Sequence, residues 1–159
     1  TNTNDTAATG YVGEYVENNR TSNLNVTTTQ ASHYVDVDSA ASISGSTTTG
    51  ATGIVLTAGC WDIQGAVSWT GNSATSVTLL EAFIGTAAAD ASTGRDFTKN
   101  TADFYFTSAV TFNNVQTTIT PVFRVNLSAT TTYYLKGIFA GAAAGSIDVT
   151  GNIRATRIR

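Results

Sequence analysis

The chain has 159 residues, a formal net charge of −3 and a pI near 4.8, with 42% hydrophobic but only 12% charged residues. That length bounds it to one domain able to bury about 70% of its unfolded surface, and the acidic balance excludes a general attraction to phosphate backbones, so no nucleic-acid partner is expected. Cys60 is the single cysteine, which excludes an intrachain disulfide and a thiolate zinc cluster.

Charged residues stand well below their usual share of about 25%. Thirty threonines, with many Ser, Asn and Gly, supply neutral hydroxyl and amide groups in their place. Threonine's branched Cβ also fits a pleated strand. No run approaches the roughly 18 apolar residues needed to cross a bilayer, and no basic start with an apolar stretch marks a secretory leader. A soluble chain without membrane insertion is the expectation.

In chain order, residues 1–9 are polar and without apolar alternation, which predicts a linker ahead of a single β domain over 10–159. From Tyr11 onward, short runs of branched and aromatic residues alternate with Gly, Ser, Thr and Asn, the rhythm of a sandwich or barrel. Strands are predicted over Tyr11–Glu17, His33–Ser39 and Gly53–Thr57, the last turning through Ala58 and Gly59 in a hairpin with the next. That next strand, Cys60–Thr70, is the clearest: Trp61, Ile63, Gly65, Val67 and Trp69 share one face and Asp62, Gln64, Ala66 and Ser68 the other. Further strands are predicted over Ser76–Gly85, Thr101–Val110, Thr118–Leu127, Thr132–Ala140 and Ser146–Arg159, giving eight or nine. Phe123, Val125 and Leu127 share a parity, as do Tyr133, Leu135, Gly137 and Phe139, and these two runs are expected to pair antiparallel. The Ala-rich pieces 86–91 and 140–145 are too short for independent helices and read as loops.

Catalytic chemistry is sparse. His33 is the only histidine and lacks a strained glycine elbow, so it reads as a surface or interface residue. Asp36 and Asp38 sit two apart opposite Val35 and Val37, as on a solvated strand face. Asp90 to Asp96 offers two carboxylates without the EF-hand pattern, and no glycine-rich phosphate cradle occurs. Sequons begin at Asn4, Asn19, Asn25 and Asn126, as Asn and Thr abundance alone produces. Trp61 and Trp69 share their face with Ile63 and Val67 and so belong to the core, leaving Tyr34, Tyr105 or Tyr134 as candidate sugar-stacking rings. The expectation is a protein that is not an enzyme, with no cofactor and no metal. Arg154, Arg157 and Arg159 place three of eight basic residues in the last six positions. Two readings stand: a solubilising strand end, or an inter-subunit cluster whose guanidinium groups meet carboxylates or backbone carbonyls.

Four stretches carry a resemblance: Gly10-Tyr11-Val12-Gly13-Glu14-Tyr15-Val16, residues Val55 to Ile63, residues Val125 to Leu135, and the ending Gly151 to Arg159. Together they resemble a recurring C-terminal domain of bacteriophage and prophage tail-associated proteins. Cys60 stands where similar sequences carry Asp or Asn. The resemblance implies an antiparallel β-sandwich of jelly-roll or TNF-like type, a homotrimer on the virion surface as part of a tail fibre, spike, collar or head appendage. It implies other virion proteins of tail or capsid as partners, and a subunit interface holding Arg154, Arg157, Arg159 and the aromatic Tyr133. Three roles follow. One is an attachment module that contacts a host surface glycan through loops 71–75, 87–100 and 113–117. Another is a capsid decoration or head-fibre protein that uses residues 1–9 as a strap. The third, a polysaccharide depolymerase, lacks a convincing carboxylate pair.

Overall fold

The computed structural model describes residues 10–27, 33–36, 53–72, 76–86, 99–111, 114–140 and 146–159. The expected linker 1–9, the acidic stretch 90–96, Asp38 and most of the proposed loops therefore lie outside the described residues. The described residues form ten strands: β1 (Tyr15–Thr27), β2 (His33–Asp36), β3 (Ile54–Leu56), β4 (Gly59–Asn72), β5 (Ser76–Gly85), β6 (Thr101–Thr111), β7 (Val115–Ile119), β8 (Phe123–Leu127), β9 (Thr131–Ala140) and β10 (Ser146–Arg157).

All the pairings are antiparallel and fall into two five-stranded sheets. The first runs β1-β10-β4-β7, with β8 also on β4; the second runs β2-β9-β5-β6, with β3 also on β9. The logic is that of a chain folded in half at the β5–β6 hairpin and then rolled. Moving outward from that hairpin, β4 pairs β7 and β8, β2 and β3 pair β9, and β1 pairs β10. Successive pairs alternate between the sheets, which is the jelly-roll winding of a sandwich.

Alternation along β4 builds the core. Trp61, Ile63, Val67 and Trp69 are wholly buried, opposite Leu80, Ala82 and Ile84 of β5 and Leu135 of β9. Phe123, Val125 and Leu127 pack against the same cluster from the edge. Fit between the sheets is close: a Cβ on Gly137 would lie 2.6 Å from the Trp69 ring, so β9 has glycine where the indole crosses it.

The rolled winding corrects two expected pairings. β3 and β4 do not form a hairpin, because β3 joins β9 in the second sheet while β4 joins β10 in the first. Likewise β8 and β9 do not pair, since β8 lies on β4 and β9 lies between β5 and the β2–β3 side. Both short connections cross from sheet to sheet. The strand predicted over 118–127 is divided in two, as Pro121 has no N–H to give a ladder. Thr120 bridges the break: its N–H donates to the Gly65 carbonyl at 2.9 Å, and its hydroxyl accepts from the Gly65 N–H at 2.9 Å.

The two outer faces differ. On the second sheet, Glu81, Phe83, Thr101, Lys136 and Ile138 point away from the core yet are buried within the single chain. On the first sheet the outer face is open, with Val115 and Ile119 each more than half exposed.

Thr118 carries a wholly buried hydroxyl without a hydrogen-bond partner. Thr118→Val keeps the shape and removes the stranded oxygen, so it is expected to stabilise by about 1 kcal/mol, read as a rise of roughly 2–4 °C in Tm by calorimetry.

Candidate functional site: a buried arginine clamp and an open sheet face

Along β10 the side chains of Ile153, Ala155 and Arg157 alternate inward, which takes a guanidinium into the sandwich. Arg157 is only 4% exposed, and a buried cation needs partners on every side. Its Nε donates to Glu14 Oε2 at 2.9 Å, Nη1 donates to the Ala58 carbonyl at 2.6 Å, and Nη2 donates to the Thr57 hydroxyl. The guanidinium carbon lies 4.5 Å from the Trp61 ring centroid, a cation–π contact. Glu14 Oε2 also accepts from the Gly10 N–H at 2.6 Å, closing the turn that precedes β1. Gly59, at φ +147°, sits against this group; any Cβ there would collide with the guanidinium. One side chain thus joins the turn at 10–14, the β3–β4 corner and the end of β10.

This geometry corrects the expected role of Arg157. It meets a carboxylate and a backbone carbonyl, as its fork favours, but both belong to its own subunit. Tyr133 is corrected too: it is 9% exposed, packs edge-to-face on Phe123 at 6.2 Å between centroids, and belongs to the core. Burial pushes its phenol pKa up. Arg159 is exposed, and its carbonyl accepts from the Cys60 N–H at 3.0 Å. Arg154 has the opposite parity to Arg157 and stands on the open face.

That face is organised in cross-strand rows. One row runs Tyr15, Thr156, Asp62, Arg124; the next runs Glu17, Arg154, Gln64; a third runs Asn19, Asn152, Ala66, Ile119. Arg124 binds Asp62 with both prongs, Nε to Oδ1 at 2.8 Å and Nη2 to Oδ2 at 2.9 Å. This hydrogen bonding holds the Asp62 carboxyl below its ordinary range. Arg154 Nη2 donates to Gln64 Oε1 at 2.5 Å, and Ser68 and Thr117 share a hydrogen bond at 3.0 Å. Asn152 donates to Glu17 and Asn19, and hydrogen bonding from Asn19 is the main cause that lowers the Glu17 carboxyl. The four charges on these rows, Glu17, Asp62, Arg124 and Arg154, sum to zero. Between the first two rows lies an open basin of about 350 Å³ lined by Tyr15, Asp62, Gln64, Val122, Arg154, Ala155 and Thr156.

Tyr134 is half-buried, with the Lys136 ammonium 6.0 Å from its ring centroid. His33, Tyr34 and Asp36 lie in β2 and Tyr105 in β6. Among the described residues, no group of three His, Cys, Asp or Glu is placed to hold a metal ion, and no helix is long and apolar enough to cross a membrane. No local pattern marks Glu14 or Thr57 as clamp partners, because they meet Arg157 from 143 and 100 residues away.

No protein-family model matches the chain, and no curated protein matches it. Among solved structures, it is similar to infectious bursal disease virus, Gx strain, at 10% identity and a TM-score of 0.44, covering 91% of this chain and 33% of that one. It is similar to PRD1 vertex protein P5 at 18% identity and a TM-score of 0.40, covering 94% and 100% of the two chains. It is also similar to Eiger TNF from S. frugiperda at 10% identity and a TM-score of 0.43, covering 91% and 92%. The chain spans about a third of the length of the bursal disease virus chains it matches. Its jelly-roll assignment rests on the strand pairing described above.

Removing one partner of a buried ion pair leaves the other charge stranded, at a cost of about 3–5 kcal/mol. Glu14→Ala, which strands the guanidinium, and Arg157→Met, which strands the carboxylate, are therefore each expected to lower stability by that amount, and the double variant by less than the two losses combined; urea unfolding of the three variants checks this. The paired Asp62 carboxyl titrates below its ordinary value of 3.8. Its contribution is present above that value and is lost as pH falls through the lowered pKa. Asp62→Asn should melt below the parent at neutral pH, with the two curves converging on acidification, as thermal melts across pH will show.

Proposed function

We propose that the chain is a surface-exposed structural module of a bacteriophage virion, of tail-fibre or spike type. It works as a homotrimer and not as an enzyme, and it meets a host surface glycan through its loops. The observation that carries this reading is the asymmetry of the sandwich. Glu81, Phe83, Thr101, Lys136 and Ile138 on the outer face of the second sheet are buried within the chain, whereas the first sheet presents an open face with internally paired charges and exposed aliphatic side chains. Such a face is suited to burial, because most of its charged side chains already have partners and its apolar groups gain from leaving water. The neutral, Thr-rich composition and the resemblance to phage tail-associated domains point the same way.

Light scattering after size exclusion, over a range of concentrations, tests the assembly. A mass near three times the 16.5 kDa chain is expected. A concentration-independent monomer would overturn the trimer and favour a decoration protein that orders on a capsid lattice. Labelling virions with an antibody against the chain tests location, and absence of label from intact particles would overturn the virion reading.

A further inference from the structure

We propose that the turn at 10–14 is a docking plug, with Tyr11 and Val12 of one copy seated against the apolar edge formed by Val115, Ile119 and Val122 of the next copy. The inference rests on the trimer proposed above. A three-fold ring repeats one head-to-tail contact, so each copy must offer two different surfaces. Among the described residues, the exposed large hydrophobics are Tyr11, Val12, Tyr15, Val55, Val115, Ile119 and Val122. Six of these fall into two groups: Tyr11, Val12 and Tyr15 at the start of β1, and Val115, Ile119 and Val122 on β7 and its link to β8. β1 and β7–β8 are opposite edges of the first sheet, as a head-to-tail contact requires.

The turn is held so that its apex stays outward. The Glu14 N–H donates to the Tyr11 carbonyl at 3.0 Å, the Gly13 N–H to the Arg157 carbonyl at 2.8 Å, and the Gly10 N–H to the Glu14 carboxylate at 2.6 Å. Tyr11 and Val12 remain 68% and 67% exposed. A buried ion pair thus fixes a turn whose two apolar side chains face water, and fixing it in advance lowers the ordering cost of docking. Charge favours the same pairing. Glu17 stands on the β1 edge, and Arg124, with a 64% exposed side chain, on the β8 edge. Arg124 uses Nε and Nη2 on Asp62, leaving its Nη1 donors for a second carboxylate. Like edges set together would oppose like charges, whereas unlike edges bring Glu17 toward Arg124.

The test uses the whole chain with Cys60→Ser as parent. Val12→Cys with Ile119→Cys in the same chain is expected to yield disulfide-linked species up to the covalent trimer under oxidation, while each single cysteine yields none. Separately, Val12→Asp and Ile119→Asp are each expected to raise the midpoint concentration for assembly at least about 30-fold, the effect of losing one central contact residue, with near-UV circular dichroism unchanged. Linkage of either single variant to itself would overturn the head-to-tail contact in favour of a symmetric one. A trimeric parent whose double variant fails to link, or whose aspartate variants stay trimeric, would overturn the plug and leave the trimer standing. A monomeric parent would remove both. If an aspartate variant loses its near-UV signal, the cysteine pair decides.

Discussion

The buried Arg157 is the interaction on which the architecture of one end of the molecule depends. A guanidinium inside a β-sandwich is tolerable only where a carboxylate, a carbonyl, a hydroxyl and an aromatic face surround it, and Glu14, Ala58, Thr57 and Trp61 do so. The cluster joins three places in the chain: the turn before β1 with Glu14, the corner and start of β4 with Thr57, Ala58 and Trp61, and the last strand with Arg157 itself. The cluster supplies direction, holding the turn, the corner and the strand end in one relative placement.

From that end the rolled topology explains why the sandwich has one closed and one open side. Each half of the folded chain contributes alternate strands to both sheets, so the inner faces interdigitate and fill with Trp61, Trp69, Leu80, Ile84 and Leu135. The outer faces are then free to differ. Where the second sheet places a wholly buried Glu81 and Lys136 on its far side, the first places rows of paired polar groups broken by bare valine and isoleucine. A surface whose charged side chains are largely paired within it has little to lose on meeting another protein surface.

Much of this was legible in the residues. The parity of Cys60–Thr70 marks the dry face of β4, and Phe123, Val125 and Leu127, which share a parity in the sequence, pack together against the core. What failed was pairing. Short connections such as Ala58–Gly59 and Ser128–Thr130 suggest hairpins, yet both are corners between sheets, and local sequence does not distinguish the two when either needs only a few small or polar residues. Arg157 is hard to place from the sequence for a related reason. Its inward parity was readable, but the carboxylate that makes it tolerable lies near the other end of the chain, and long-range partnership leaves no trace in spacing. Tyr133, for which the resemblance implies an interface, packs edge-to-face on Phe123 of the other sheet inside the core.

Pro121 has a consequence beyond dividing one strand from the next. The β7–β8 side of the first sheet is an edge, and a long uninterrupted edge is a template on which another chain's backbone can add and continue. Here the edge is cut into two pieces of five residues, separated by a residue with no donor and by Thr120, whose N–H and hydroxyl are both engaged by Gly65. Many copies of a threonine-rich, weakly charged β chain held close together would be prone to fuse into continuous cross-β stacks. An interrupted edge lets such copies touch through their side chains while denying their backbones a common ladder.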